Sequence, residues 1–404
     1  MSAEVLDLTR EEAAKRWHEA LERSGWLESC AMEEIDIVDA LGRVIAQPVV
    51  ALRPVPHYAG SAMDGFAVRS MDTQDASPEQ PIVLSIATAG ETLKPGTAVT
   101  MDTGDALPSG ADSVIMKELV SVRDGCIELY SPVLQGHHVR KIGEDIMTGE
   151  TVLPAGRIVG PAEIAAALAV GTERVRIASQ PRIAVIPTGD EIVDSAGELP
   201  AGSIRDINSY MLTALFSSWG ASVRRYPVVP DDPQLLRAAI TGALTECDLV
   251  VTNGGTSAGT DDYTAEVFRD IGQMCCHGVA IRPGRPVVLA VVGGKPVIGL
   301  PGYPVSCMLT AELFLRDLLY EYQSADKPRR RTCRVKLAQE VRSKPEVEEY
   351  VRVKLIPGDE MDIACPLPRG ASLISTLTQV DGWLRIGIGS YGLEADAIVE
   401  VELF

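Results

Sequence analysis

Between residues 182 and 320 short apolar runs alternate with longer stretches of helical periodicity, and few architectures accept that alternation. Strand candidates at 183–186, 222–229, 248–252 and 287–292 are interleaved with helix candidates at 208–219, 233–245, 263–271 and 305–320. Strands separated by helical crossovers build a parallel sheet with helices on both faces. Ligands of such sheets sit at the carboxyl ends of the strands. Three turn-forming loops fall there: Pro187-Thr188-Gly189-Asp190-Glu191, Asn253-Gly254-Gly255-Thr256-Ser257-Ala258-Gly259 and Pro301-Gly302-Tyr303-Pro304-Val305-Ser306. The expected ligand of the crevice they would form is a phosphorylated or oxyanionic small molecule.

The third loop is the most informative. Its prolines fix φ while Gly302 relaxes it, so a rigid strand–loop–helix junction is expected, opening amides and the Ser306 hydroxyl toward an anion. The glycine loop 254–259 can present consecutive N–H groups to phosphate, or can be an ordinary turn. It lacks the Gly-Lys-Ser/Thr ending of a Walker loop and the spacing of a dinucleotide fingerprint. Asp261 and Asp262 follow it. They suit either a helix N-cap or a Mg²⁺ shared with substrate phosphate, with Glu191 as a second carboxylate. Asp231 and Asp232 before Pro233 fit an N-cap equally well. Arg282-Pro283-Gly284-Arg285-Pro286 places two guanidinium forks on a stiff turn, matched to tetrahedral oxyanions unless the turn is merely solvated.

Outside this region the style changes. Thr9 and Glu12 make a capping box before a helix with apolar positions at Ala13, Trp17, Ala20 and Leu21, and Gly25 fits its stop. A second short helix is expected over 37–46. From 63 to 140 short strands are separated by turns, as in a β-rich module inserted between two parts of one helical domain. Another helix is expected from Gly160 to Val170. After 326 come the basic link Arg329-Arg330-Arg331 and short alternating strands, as in a small β-barrel or sandwich.

Lysine plus arginine count 37 and aspartate plus glutamate 56, a formal charge of −19 that repels nucleic acid and anionic membranes. Eight cysteines contain no C-x-x-C pair, which disfavours zinc and a disulfide framework. No apolar run reaches membrane-spanning length and the first ten residues lack a signal-peptide core, so a reducing cytoplasm is expected.

Taken in order, several long motifs point one way: Ser61-Ala62-Met63-Asp64-Gly65-Phe66-Ala67-Val68, Thr103-Gly104-Asp105, Gly143-Glu144-Asp145-Ile146, the three loops above, Asp262-Tyr263 and the Arg282–Pro286 turn. Across nearly the whole length the chain resembles the molybdopterin molybdenumtransferase family, the molybdenum insertases known as MoeA and as the E domain of gephyrin. The resemblance implies an α/β multidomain fold. Its parts would be an elongated helical domain (1–48 plus 142–178), an inserted β domain (49–141), an α/β domain like the molybdopterin adenylyltransferases (179–325) and a C-terminal β-barrel (326–404). It implies a homodimer in which the site lies between the α/β domain of one subunit and the inserted domain of the other. The implied reaction puts molybdate or tungstate metal into adenylylated molybdopterin and releases AMP with Mg²⁺.

By motif, the implied functional positions are Asp64, Thr103, Asp145, Glu191, Asp231, Asp262, Pro301 and Pro304. Thr188, Gly189, Gly254, Gly255, Ser257, Gly259, Gly302 and Ser306 would hold phosphates, and Arg282, Arg285, Lys141 and Ser306 the oxyanion. Glu191 and Asp262 would hold Mg²⁺. Expected partners are a molybdopterin adenylyltransferase and molybdenum or tungsten apoenzymes. The chain departs from the family pattern where Tyr303 replaces Asn, Arg282 and Arg285 replace Lys, and Ile207 replaces Ser. Two other readings stand beside the insertase: an adenylyltransferase-like enzyme, and a non-catalytic cofactor carrier or scaffold.

Overall fold

The computed structural model describes residues 8–88, 90, 92–194, 197–255 and 263–404. Its centre is a six-stranded sheet in the order Ser222–Arg225, Arg182–Pro187, Leu249–Asn253, Lys295–Leu300, Val288–Val292, Gln273–His277. The first four strands run parallel. Helices Asn208–Ser218, Pro233–Glu246, Tyr263–Ile271 and Pro304–Phe314 surround the sheet, and Ile183, Val185, Leu249, Val251 and Ile298 on one face are fully buried. Asp232 caps Pro233–Glu246 by accepting from the amides of Gln234 (2.7 Å) and Leu235 (3.1 Å).

The sheet is mixed rather than all parallel. Val288–Val292 runs antiparallel to Lys295–Leu300 and to Gln273–His277, a strand without a counterpart in the sequence reading. The cause is Gly293-Gly294, both at positive φ (58° and 80°), which closes a two-residue hairpin no helical crossover could join. The expected helix 305–320 is two, Pro304–Phe314 and Arg316–Tyr322.

The N-terminal helix Arg10–Ser24 has its capping box on Thr9 and a left-handed Gly25 stop. Its apolar face, Ala13, Trp17, Ala20 and Leu21, packs into the core of the α/β sheet, and the Trp17 indole donates to the Ala290 carbonyl at 2.8 Å. The helix expected at 37–46 is absent. Met32–Asp36 instead pairs with Arg174–Ala178, followed by one 3₁₀ turn, Ile37–Asp39. Ile35 lies in that ladder, and Val44 and Ile45 make single bridges to Ile158 and Ile177, pairings that suit β-branched residues better than a helix. Helix Pro161–Ala169 completes that region's core with Ile37, Ile45, Val159 and Ile177.

The inserted region is a six-stranded sheet ordered Ser113–Met116, Gly65–Val68, Thr97–Met101, Ile82–Ile86, Cys126–Leu129, Val120–Arg123. At the C-terminal end Thr332–Leu337, Glu348–Ile356, Ile363–Pro366, Gly382–Ile386 and Ile398–Leu403 close on themselves into a five-stranded barrel. The two-residue strand Ile281–Arg282 of the α/β region joins this barrel in parallel, Arg282 opposite Glu349. That graft fixes the arginine turn against the barrel wall.

Candidate functional site

The loops after Arg182–Pro187 and Lys295–Leu300 meet at the carboxyl end of Leu249–Asn253 with Asn253, Gly254 and Gly255, the described part of the glycine loop. Two buried asparagines tie them. The Asn208 amide donates to Asn253 Oδ1 (2.9 Å) and to the Gly302 carbonyl (2.7 Å). Asn253 in turn donates to the Pro301 carbonyl (2.9 Å) and to Cys307 Sγ (3.2 Å). Thr188 N–H donates to the Asn253 carbonyl (2.9 Å), and Gly254 N–H to that of Leu300 (3.2 Å). This buried network fixes loop register, although Asn208 Oδ1 itself has no hydrogen-bond partner among the described residues. Pro301 and Pro304 are buried, and Pro304 opens the helix at its first position, where a missing N–H costs nothing.

Acidic groups gather beside these loops. Asp190 N–H donates to Asp231 (3.4 Å) and Asp231 N–H to Asp190 (3.1 Å). Burial first, then the carboxylates of Asp231, Asp190 and Glu191, push the Tyr263 hydroxyl pKa upward, so it stays a proton donor. Asp231 Oδ1 is buried without a hydrogen-bond partner among the described residues. Asp262, Ser257 and Gly259 lie outside the described residues. Among the described residues no three His, Cys, Asp or Glu side chains are grouped to hold a metal. The orphaned Asp231 oxygen and neighbouring Glu191 still suit Mg²⁺, which takes one or two carboxylates and completes its shell with water and substrate phosphate.

A cavity of about 340 Å³ lies between this region and the barrel, lined by Arg282, Arg285, Ser306, Glu349, Arg352 and Arg369 among others. Arg282, Arg285 and Ser306 were legible in the sequence. Arg352 and Arg369 were missed, because a strand arginine and a loop arginine acquire meaning only once the barrel docks. Arg352 is buried, and its Nη2 donates to the carbonyls of Pro368 (2.8 Å) and Gly370 (3.1 Å). Its Nε and Nη1 have no partner among the described residues, and burial lowers its pKa. Glu349, also buried, lies 3.2 Å from Arg369 and 3.8 Å from Arg282. A buried guanidinium with Nε and Nη1 unbonded, beside the exposed Arg282, Arg285 and Arg369, offers forked N–H groups to a tetrahedral dianion.

The remaining predicted residues form a second group, in the inserted sheet. Asp64 Oδ1 accepts from the Thr103 amide (2.9 Å) and hydroxyl (2.8 Å), and Lys117 lies 3.6 Å from Oδ2. These bonds, Thr103's hydroxyl first, hold the Asp64 carboxyl below its ordinary pKa. Gly65 starts a strand paired on both sides, and a Cβ there would come 1.9 Å from the Ile115 carbonyl oxygen. Lys141 and Asp145 are exposed on a turn pinned by Glu144, which accepts from Arg140 Nε (2.6 Å) and the Lys141 amide (2.9 Å). The bonds of each group stay within its own region, so the predicted site residues form two clusters within one chain.

Three family profiles match in this order: the MoeA N-terminal region (domain I and II) over residues 8–171, a probable molybdopterin binding domain over 184–321, and the MoeA C-terminal region (domain IV) over 334–404. The molybdopterin molybdenumtransferase 2 of Mycobacterium tuberculosis is 34% identical over 72% of this chain and 76% of its own length. The chain belongs to the MoeA family. A molybdopterin molybdenumtransferase from Nostoc is likewise 34% identical, over 71% of this chain and 68% of that relative. Two crystal structures of a molybdopterin biosynthesis MoeA protein from Pyrococcus horikoshii share the fold, with TM-scores of 0.81 and 0.83 and identities of 34% and 27%. They cover 96% and 99% of this chain and 98% and 100% of theirs. The MoeA architecture therefore includes the barrel that completes the arginine cavity.

Proposed function

We propose that this MoeA-family chain is a molybdopterin molybdenumtransferase of molybdenum cofactor biosynthesis, inserting metal from molybdate or tungstate into adenylylated molybdopterin and releasing AMP. The observation that carries the reading is the adjacency of two unlike sites. A tethered three-loop crevice suits phosphates, and an arginine cavity with a buried, partly unbonded guanidinium suits an oxyanion. Ser306, from the third loop, also lines that cavity. A simple adenylyltransferase has no use for the barrel half of that cavity.

In this reading the amides at Gly254, Gly255 and Gly302 and the Thr188 and Ser306 hydroxyls bind the phosphates, and Arg282, Arg285, Arg352 and Arg369 hold the oxyanion. Buried donors fixed before the substrate arrives need little reorganisation as charge develops. Glu191 and Asp231, with Asp262, would hold Mg²⁺, which neutralises charge on the phosphoanhydride. Asp64, Thr103, Lys141 and Asp145 sit on a separate surface, consistent with a homodimer in which each inserted domain completes the partner's crevice. A cytoplasmic setting and a supply of adenylylated pterin from an adenylyltransferase complete the proposal. Among the described residues no helix is long and apolar enough to cross a membrane.

The test is a single-turnover reaction of the protein with adenylylated molybdopterin, Mg²⁺ and either oxyanion, following AMP and metal-bound cofactor. Oxyanion-dependent AMP release is expected, with the rate ratio giving the metal preference. Tight pterin binding without AMP release would replace the transferase with a carrier.

A further inference from the structure

Aromatic residues make up only 5% of this chain, yet Tyr303 stands in the middle of the crevice's third loop with 63% of its surface exposed. Its backbone (φ −75°, ψ 133°) is fixed between a hydrogen-bonded Gly302 and Pro304. Its side chain does not cap the helix it precedes. Ile207 stands in the same relation to the helix Asn208–Ser218: it is the N-cap residue, makes no side-chain capping bond and is 40% exposed. The Asn208–Gly302 bond places the starts of these two helices side by side, so an exposed aromatic ring and an exposed aliphatic chain share one rim.

Among the described residues the floor beside that rim is backbone, Gly302 against Gly254. A Cβ built on Gly302 would lie 3.7 Å from the Gly254 Cα, and apart from its chain neighbours it would meet no other heavy atom of the described residues within 4 Å. Backbone without side chains accepts a flat ligand at close range. An exposed ring held on a rigid loop stacks without the cost of ordering its backbone, leaving only the side chain's own rotamer entropy to be lost. A helix N-cap is a position where Ser, Thr, Asp or Asn would stabilise the fold by about 1 kcal/mol. Tyr303 forgoes that gain; at the second helix Asp206 does the capping instead, accepting from the Ser209 amide at 3.0 Å, and Ile207 takes no part in it.

We propose that Tyr303, with Ile207 beside it, is a stacking platform for the planar heterocycle of the substrate, and so a specificity residue of this site. The proposal rests on the reading of the crevice as the adenylylated pterin site. The shared chemistry is a heteroaromatic ring attached to a phosphate. The purine of the adenylyl group and the pterin both supply it, and the phosphates lie on the glycine loops while the ring covers Tyr303. The ring adds apolar contact and offset stacking, and the loops add charge complementarity.

The experiment is calorimetric titration of the full-length protein with AMP, with metal-free molybdopterin and with ribose 5-phosphate, for the wild type, Y303F and Y303A. Loss of one ring–ring stack on alanine substitution corresponds to roughly 5- to 150-fold in affinity. Y303A should lose that factor for AMP or for molybdopterin while ribose 5-phosphate binding is unchanged, and Y303F should retain wild-type affinity. The ring ligand that weakens identifies which heterocycle occupies the platform. Equal affinities of Y303A and Y303F for both ring ligands would overturn the platform and leave the functional reading standing. Failure of the wild type to bind any of the three would overturn the crevice reading, and the platform with it.

Discussion

Asn208 and Asn253 share a single hydrogen bond of 2.9 Å, and through it the helix start at 208, the strand end at 253 and the loop at 301–302 become one body. Both side chains are buried. The Asn253 side chain makes three polar contacts, to Asn208, the Pro301 carbonyl and Cys307 Sγ.

Asn253→Ala should therefore leave the Pro301 carbonyl and the Asn208 amide short of a partner, costing on the order of 2 kcal/mol. Thermal melts should show the drop, and AMP release should fall with it because the crevice loops lose register. Asn253→Asp keeps the shape and both neighbours but turns a donor into an acceptor facing the Pro301 carbonyl. It should be no better than alanine. Wild-type melting in both variants would refute the tie.

Gly65→Ala tests the close approach in the inserted sheet. A Cβ 1.9 Å from the Ile115 oxygen forces the strand pair Gly65–Val68 and Ser113–Met116 apart. The cost should be about 3 kcal/mol or more, read as lost soluble yield or a large fall in melting temperature. The neighbouring Asp64 would lose its place over Thr103 in the same step. An alanine variant with wild-type stability would show that the sheet relaxes freely there.

The pattern of what the sequence disclosed is physical. Strand-end loops are legible because glycine, proline and capping residues act locally, and Thr9, Asp232 and Pro304 each cap or open a helix where their chemistry required. The hairpin at Gly293-Gly294 was equally local but was overlooked beside the stronger apolar run. The region 37–46 misled because β-branched residues at helical spacing also fit a ladder, and the partner strand Arg174–Ala178 lies more than a hundred residues away. Arg352 and Arg369 could not be read at all. Their role depends on a barrel closing and docking against Ile281–Arg282, a long-range event with no local signature.

Asp64 and Thr103 make a pH-dependent pair whose sign follows from the shift. The folded carboxyl titrates below the ordinary aspartate value of 3.8, chiefly through the Thr103 hydroxyl and amide, with Lys117 a lesser cause. A group with a depressed folded pKa contributes stability above its unfolded value, and loses it as pH falls through the folded one. The Asp64–Thr103 link should thus persist at neutral and alkaline pH and open only in acid. In a carboxyl-detected NMR titration, Thr103→Val should move the Asp64 pKa upward, part of the way to 3.8, because the amide bond survives. An unchanged pKa would assign the shift elsewhere.

Arg352→Met separates folding from function. The wild-type guanidinium is buried with Nε and Nη1 unpaired among the described residues, an arrangement that works against stability unless an anion arrives. Methionine fills a comparable apolar volume and gives up only the two bonds from Nη2 to Pro368 and Gly370. Those carbonyls lie at the margin of the cavity, where water can replace the donor. The apo variant should melt at or above the wild-type temperature. Added molybdate or tungstate should raise the melting temperature of the wild type by mass action and leave the variant's nearly unchanged. In the insertion assay the variant should need at least tenfold more oxyanion, a loss of about 1.4 kcal/mol or more, with the concentration dependence on adenylylated molybdopterin unaltered. Arg369→Met should weaken the oxyanion less, because Arg369 is exposed and already shares Glu349. A stabilised variant that kept full oxyanion affinity would show that the cavity's buried charge serves something other than the oxyanion. A destabilised one would show that Arg352 is a strut of the barrel before it is a ligand.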